Sequence, residues 1–346
     1  MGKMRSILSS VLTACLMALL CGCIHEEQFD NTPEGNFEAL WTIIDEHYCF
    51  LDYKRQTIGV DWDEVHSRYA SRISDKMDRY QLFEVLAEML GELRDGHVNL
   101  YSPANVGRNW SWHEDYAPNF RADIQDAYLG TDYKIASGIK YRMLDDNIAY
   151  LVCPSFANGI GNGNLDEIMH NLRSANGLIL DLRDNGGGDV TNAETLASRF
   201  TDERRLVGYM SHKTGRGHND FSKPEAQYLD PSKGVRWMKR AVVLTNRSCY
   251  SATNLFIRNM KGLPRVTIVG DKTGGGSGMP FSSELPNGWG VRFSACPMTD
   301  ANKNQIEFGI EPDIYVALDE ADASRGIDTL IEYARRLLNN ALGATD

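Results

Sequence analysis

Positive charge is in short supply in this sequence. Thirty-six lysines and arginines face 47 aspartates and glutamates, a formal net charge of −11. A chain this acidic repels a phosphate backbone, which excludes nucleic-acid binding by charge neutralisation. Cysteine is scarce too, seven in 346 residues. No CxxC pair and no Cys/His cluster at metal-ligand spacing occurs, which excludes a structural zinc site. Repeats and low-complexity tracts are absent. Three familiar site patterns are also missing. The residues around Ser251 read Cys249-Tyr250-Ser251-Ala252-Thr253 rather than GxSxG, which argues against an α/β-hydrolase elbow. "GDKTGGGSG" (270–278) has Gly276 where a phosphate loop needs its lysine, so ATP binding is not expected. "GIGNGN" (159–164) lacks the strand context of a dinucleotide site. No metal and no cofactor is expected.

One apolar run stands out, Ile7 to Leu20, after the positive Lys3 and Arg5. It is shorter than the ~20 residues of a comfortable membrane span and reads as a secretory signal. "LLCGC" (19–23) resembles a bacterial lipoprotein box, with cleavage before Cys23 and a lipid on its thiol. An ordinary signal peptide cut nearby is the alternative. The expectation is therefore a signal over 1–22 and a polar tether over 23–35. The protein would be held in the cell envelope, periplasmic or at the surface, by its N-terminal lipid. Loss of Lys3 and Arg5 with the signal takes the formal charge to −13. Cys49, Cys153, Cys249 and Cys296 remain beyond Cys23, and nothing in the sequence chooses among their three possible pairings.

From 36 to 100 the pattern is helical. Phe37, Leu40, Trp41 and Ile44 recur at one-face spacing. Asp61 with Glu64 starts a second stripe containing Val65, Tyr69 and Ile73. Leu82, Val85, Leu86, Met89, Leu90 and Leu93 form a third, and three short helices make a small bundle. Residues 101–138 are aromatic and irregular and form a connecting segment. From 139 to 346 strands alternate with helices: 147–153, 177–183, 241–245 and 265–270 are strand-like, interleaved with helices near 165–175, 190–200 and 251–262. A further strand near 288–298 and a closing helix over 326–342 follow. Continuously apolar strands alternating with helices predict an α/β domain with a mainly parallel sheet.

Parallel sheets bind ligands at the carboxyl ends of their strands, and two such ends carry unusual residues. "LDLRDNGGGDV" (180–190) places three glycines after a strand, where the backbone can approach a ligand closely. Ser251 follows the "AVVLT" strand and opens a helix, where the N–H of Ala252 is a free donor. A serine beside such amides has the parts of an oxyanion hole. The plainer reading is that Ser251 caps the helix and the glycines make a turn. A nucleophilic serine needs a base. Of the eight histidines, His47, His66 and His170 fall within helices, and His97 follows an Asp95-Gly96 turn.

Taken in order, "DGHVNL", "GLILDLRDNGGG", "VVLTNRSCYSATN", "IVGDKTGGGSG" and "IEFGIEPDI" resemble the S41 family of serine peptidases, the tail-specific or C-terminal processing proteases and the tricorn core. The resemblance runs from about residue 33 to 320. It implies a crotonase- and ClpP-like α/β fold preceded by the helical bundle. It implies Ser251 as nucleophile, with Gly187 and the N–H of Ala252 as oxyanion donors. One branch uses a lysine, whose place is taken here by Gly276, so that dyad is excluded. The tricorn-like branch uses His and Glu, matched by His97 and Glu307. Its serine before the histidine is Gly96 here, which leaves the link from His97 to Glu307 to a water or to direct approach. Glu311 competes with Glu307, and Lys272 is a further candidate base, ranked below His97. Residues 101–138 are too few for the PDZ domain that many members carry, which favours the tricorn-like or retinoid-binding-protein-like branch. The activity so implied is peptide hydrolysis through an acyl-enzyme, on a peptide or protein substrate. A catalytically idle protein binding a peptide or apolar ligand is the alternative. Nothing speaks to oligomeric state.

Overall fold

The computed structural model describes residues 29–340, so the signal, Cys23 and most of the tether lie outside the described residues. Four helices come first. α1 (Pro33–His47) starts on Thr32, whose side chain accepts from Gly35 N, with proline in its first turn. α2 (Leu51–Ile58) ends on Gly59 at φ 74°, the left-handed cap that glycine tolerates best. α3 (Trp62–Ala70) is capped by Asp61, which accepts from Asp63 N and Glu64 N. α4 (Arg79–Gly91) opens with a full capping box of Asp78 and Gln81. The short α2 is the helix that the three-helix expectation did not separate.

The rest of the chain runs β1 (Asn99–Tyr101), β2 (Val106–Arg108), α5 (Ser111–Glu114), α6 (Ala122–Leu129), β3 (Lys134–Ala136), β4 (Ile139–Met143), β5 (Ile148–Val152), α7 (Asn162–Asn171), β6 (Gly177–Asp181), α8 (Val190–Ala197), β7 (Arg205–Met210), β8 (Glu225–Leu229), β9 (Ala241–Thr245), α9 (Ala252–Met260), β10 (Val266–Gly270), β11 (Met279–Glu284), β12 (Gly290–Cys296), β13 (Met298–Asp300), β14 (Ile314–Tyr315), α10 (Glu320–Ala323) and α11 (Thr329–Asn340). The segment 101–138 thus holds two short helices and strands that its aromatic, unperiodic sequence does not announce.

A seven-stranded sheet in the order β14-β10-β9-β6-β5-β4-β3 forms the centre. β5, β6, β9, β10 and β14 run parallel, and β3 and β4 add an antiparallel edge. β5, β6 and β9 are buried along their whole length, because helices cover both faces. Leu165, Leu196 and Phe256, from α7, α8 and α9, join the core on one face. Leu330, Ile331, Ala334 and Leu338 of α11 cover Ile179, Val242 and Leu244 on the other. This is the α/β architecture expected of the sequence.

The two halves are not separate in space. A second sheet, β11-β12-β1-β2, puts β1 of the amino-terminal half beside β12 of the carboxy-terminal half, with Asn99 opposite Arg292. Leu285, Trp289, Val291 and Phe293 complete the core of the helical bundle. The strand expected near 288–298 therefore leaves the central sheet and closes the bundle. The register that seats it also fixes the turn just before β1, where His97 lies.

Candidate active site

Ser251 sits between β9 and α9 with φ 58° and ψ −120°. A non-glycine residue at positive φ is strained and persists only when its surroundings hold it. Two contacts do so. Ser251 N donates to Gly275 O at 2.9 Å, and Gly274 N donates to Cys249 O at 2.8 Å, so the joint is laced to the turn in which Gly275 stands at φ 90°. The side chain makes no capping hydrogen bond to α9. Instead Oγ lies 3.0 Å from His97 Nε2, across 154 residues of sequence. The Ser251 hydroxyl thus pairs with the histidine rather than capping α9.

His97 lies in the turn that joins α4 to β1. Its N–H donates to Asp95 Oδ1 at 2.8 Å, and the imidazole is buried, 3 % exposed. Burial pushes its pKa down to about 4, against the charge of Asp95 and with some help from Arg292. At neutral pH the ring is therefore uncharged and able to accept a proton. Its other nitrogen, Nδ1, is buried without a hydrogen-bond partner.

Glu307 does not fill that gap. Its Oε1 takes Lys54 Nζ at 3.1 Å and its Oε2 takes Ser277 N at 2.9 Å. Lys54 is fully buried; it also donates to Arg94 O at 3.3 Å and lies over the Phe308 ring. A buried ammonium needs an anion beside it, and Glu307 supplies it. Burial and the charge of Asp95 raise the Glu307 carboxyl to about 7, with Lys54 opposing. The expected direct orientation of His97 by Glu307 thus has no hydrogen bond behind it. Glu311, the competitor, pairs with Lys272 at 3.0 Å, so Lys272 is engaged away from Ser251 Oγ.

The glycine run is where expected. A Cβ on Gly187 would stand 2.8 Å from Ser251 Cβ and 3.0 Å from Ala252 N, and φ there is 105°. Its N–H, however, donates to Asn185 Oδ1 at 2.9 Å, and that same oxygen accepts Thr253 Oγ1 at 2.7 Å. The Gly187 amide expected to face an oxyanion is therefore turned to Asn185. Among the described residues the amides of Ala252 and Gly188 donate to no acceptor. Among the described residues no group of His, Cys, Asp and Glu is arranged to hold a metal ion.

Tyr250 is one residue that sequence reasoning missed. Its ring stacks on Trp112 with centroids 3.9 Å apart and lies 5.0 Å from the His97 ring. Its hydroxyl donates to Asp95 Oδ1 at 3.2 Å. A Cβ on Gly276 would meet Tyr250 Cζ at 2.4 Å, and one on Gly96 would meet Tyr250 Oη at 2.8 Å and Trp112 Nε1 at 2.4 Å. Tyr250 occupies the room that side chains at 96 and 276 would need. Two glycines in place of a serine and a lysine were the signal that a large residue fills the space between them.

A serine at a strained strand-to-helix joint, bonded to a buried neutral histidine at the carboxyl end of a parallel sheet, has the arrangement of a serine-nucleophile hydrolase. The chain matches Peptidase family S41 over residues 147–316 and the Tricorn protease C1 domain over residues 29–91. It belongs to peptidase family S41. A crystal structure of a candidate peptidase from Parabacteroides merdae is 53 % identical, with a TM-score of 0.85, covering 89 % of this chain and 97 % of that one. The carboxy-terminal processing protease CtpA of Bacillus subtilis is 25 % identical over 214 residues, 58 % of this chain and 44 % of its own length. The chain spans less than half the length of the curated relatives it matches. Mature CPAF shares the fold, with a TM-score of 0.69 over 89 % of this chain and 98 % of that one, at 13 % identity.

Proposed function

We propose that this protein is an exported, lipid-anchored serine peptidase that cleaves peptide bonds through an acyl-enzyme. The observation that carries this reading is the 3.0 Å contact between His97 Nε2 and Ser251 Oγ. His97 takes the serine proton as Oγ bonds to the substrate carbonyl carbon. The carbonyl oxygen gains the negative charge and is held by the N–H of Ala252 and an amide of the 187–188 run. The tetrahedral adduct collapses, the peptide C–N bond breaks, and His97 returns the proton to the leaving amine. Water then repeats the sequence in reverse and frees the acyl group. Cys23 carries the lipid that fixes the enzyme to a membrane of the cell envelope.

A binding protein for a peptide or apolar ligand is the competing reading, and the Gly187 N–H engaged by Asn185 favours it. A fluorophosphonate probe separates the two. Covalent labelling that disappears in Ser251→Ala supports the peptidase. A folded wild type that is never labelled supports the binder. Incorporation of labelled palmitate that is lost in Cys23→Ala supports the anchor, and a protein released to the soluble fraction with residues 1–22 removed overturns it.

A further inference from the structure

One buried carboxylate, Asp95, holds the main chain of His97 and the hydroxyl of Tyr250, the residue just before Ser251. We propose that Asp95, and not Glu307, is the positioning carboxylate of this site: it aligns His97 with Ser251 and offsets the charge that forms on the imidazole. The inference rests on the peptidase reading above and deepens it.

Asp95 is 1 % exposed and takes four hydrogen bonds from four parts of the chain. Oδ1 accepts the N–H of His97 at 2.8 Å and the hydroxyl of Tyr250 at 3.2 Å. Oδ2 accepts Tyr48 Oη at 3.1 Å and Ser294 Oγ at 2.9 Å. Tyr250 immediately precedes Ser251. A single carboxylate oxygen therefore ties the turn that carries the base to the turn that carries the nucleophile, 155 residues apart from Asp95 to Tyr250. The Tyr250 ring completes the arrangement by lying against the imidazole, which is otherwise held only through its main chain and Oγ.

Charge points the same way. Burial works against an ionised Asp95, but Lys54, His97 and the hydrogen bonds hold its carboxyl below the usual carboxylate range. Glu307 is displaced in the opposite direction and its oxygens are given to Lys54 and Ser277. When His97 accepts the Ser251 proton, the new positive charge appears beside an anion already in place, and Asp95 keeps its own charge throughout. The titratable and charged groups facing this pair are Lys54 on α2, Tyr48 and Cys49 after α1, Tyr250, Arg292 on β12, and Glu307.

The test compares Asp95→Asn, Glu307→Gln and Tyr250→Phe in the full chain. Three quantities are read: kcat and KM on fluorescein-labelled casein, the rate of fluorophosphonate labelling, and the titration of His97 by NMR of 15N-histidine protein. An asparagine oxygen can still accept the His97 N–H and the Tyr250 hydroxyl, and the Tyr48 and Ser294 hydroxyls can rotate to accept from its amide nitrogen, so Asp95→Asn chiefly removes the charge. It should lower kcat and labelling ~100-fold or more with KM within about threefold, and lower the His97 titration by about one unit or more. Glu307→Gln should keep kcat within about tenfold and leave the His97 titration in place. Tyr250→Phe should lower kcat roughly tenfold at unchanged KM, through misalignment alone. The proposal is overturned by a folded Asp95→Asn protein with kcat within about fivefold of wild type, by an unmoved His97 titration in that variant, or by Glu307→Gln matching its loss. If Asp95→Asn does not fold, Tyr250→Phe decides: a kcat within about twofold of wild type overturns the alignment argument. If wild type neither hydrolyses nor labels, the peptidase reading is what fails, and the NMR comparison still decides whether Asp95 is coupled to His97.

Discussion

Lys54 of α2 and Glu307 of the loop before β14 form a fully buried ion pair, 3.1 Å apart in space and 253 residues apart in sequence. The pair fastens the helical bundle to the segment beneath the serine. Losing either partner strands the other's charge in the interior, at a cost of about 3–5 kcal/mol. Lys54→Met should therefore destabilise the protein by that amount in a denaturant titration. Glu307→Gln should cost less, because its amide can still bond to Ser277. The double variant Lys54→Met/Glu307→Leu should recover part of the loss. Equal stability of Lys54→Met and wild type would sink the claim.

Strain at Ser251 should be measurable as a trade of stability for activity. Glycine accepts φ 58° at little cost where serine does not. Ser251→Gly is expected to raise stability by about 1 kcal/mol while abolishing fluorophosphonate labelling. Ser251→Ala should abolish labelling without the gain, since alanine carries the same Cβ. The comparison of the two melting curves checks this.

A lysine at 276 cannot install the other catalytic arrangement of the family. The Tyr250 ring stands 2.4 Å from where a Cβ would be, and φ is 77°. Gly276→Ala should cost about 2 kcal/mol or more through overpacking and backbone strain. Gly276→Lys should be worse and should not support labelling when paired with His97→Ala. Labelling of that double variant would show that Tyr250 can yield.

Gly187→Ala tests the cradle. The added methyl would press on Tyr250 O at 2.7 Å and Ser251 Cβ at 2.8 Å. We expect hydrolysis to fall ~100-fold or more, with the central sheet retained in circular dichroism. A variant with wild-type kcat would remove the 187–188 run from the mechanism.

His97 also makes stability depend on pH. Its folded pKa, about 4, lies below the 6.5 of an unfolded histidine, so the unfolded chain binds the proton more readily. The contribution is complete above pH 6.5 and is lost as pH falls towards 4. Across that window wild type should lose about 3 kcal/mol more than His97→Gln. Denaturant midpoints for the two proteins at pH 7 and pH 4.5 give the difference. Glu307 works in the reverse direction, its raised carboxyl contributing below pH 4.5 and losing that contribution as pH rises through about 7. The paired comparison cancels it.

The sequence by itself determined the elements. The apolar runs at 148–152, 177–180 and 241–244, too short for helices and alternating with helical stripes, read as strands buried on both faces. The stripe from Leu82 to Leu90 could only be a helix with one face inward. It also put Ser251 and the glycine run at strand ends, because strand-to-helix joints are marked locally by composition. What only the tertiary structure decided is which distant residues meet. Nothing local in "IEFGIEPD" or "KRQTI" shows that Glu307 answers Lys54 rather than His97, nor that one oxygen of Asp95 holds both His97 and Tyr250. Such pairings follow from β1 entering beside β12, a contact between segments some 190 residues apart. Periodicity reports which face of an element is buried. It carries no information on what that face will find there, because the partner is chosen by the packing of the whole chain.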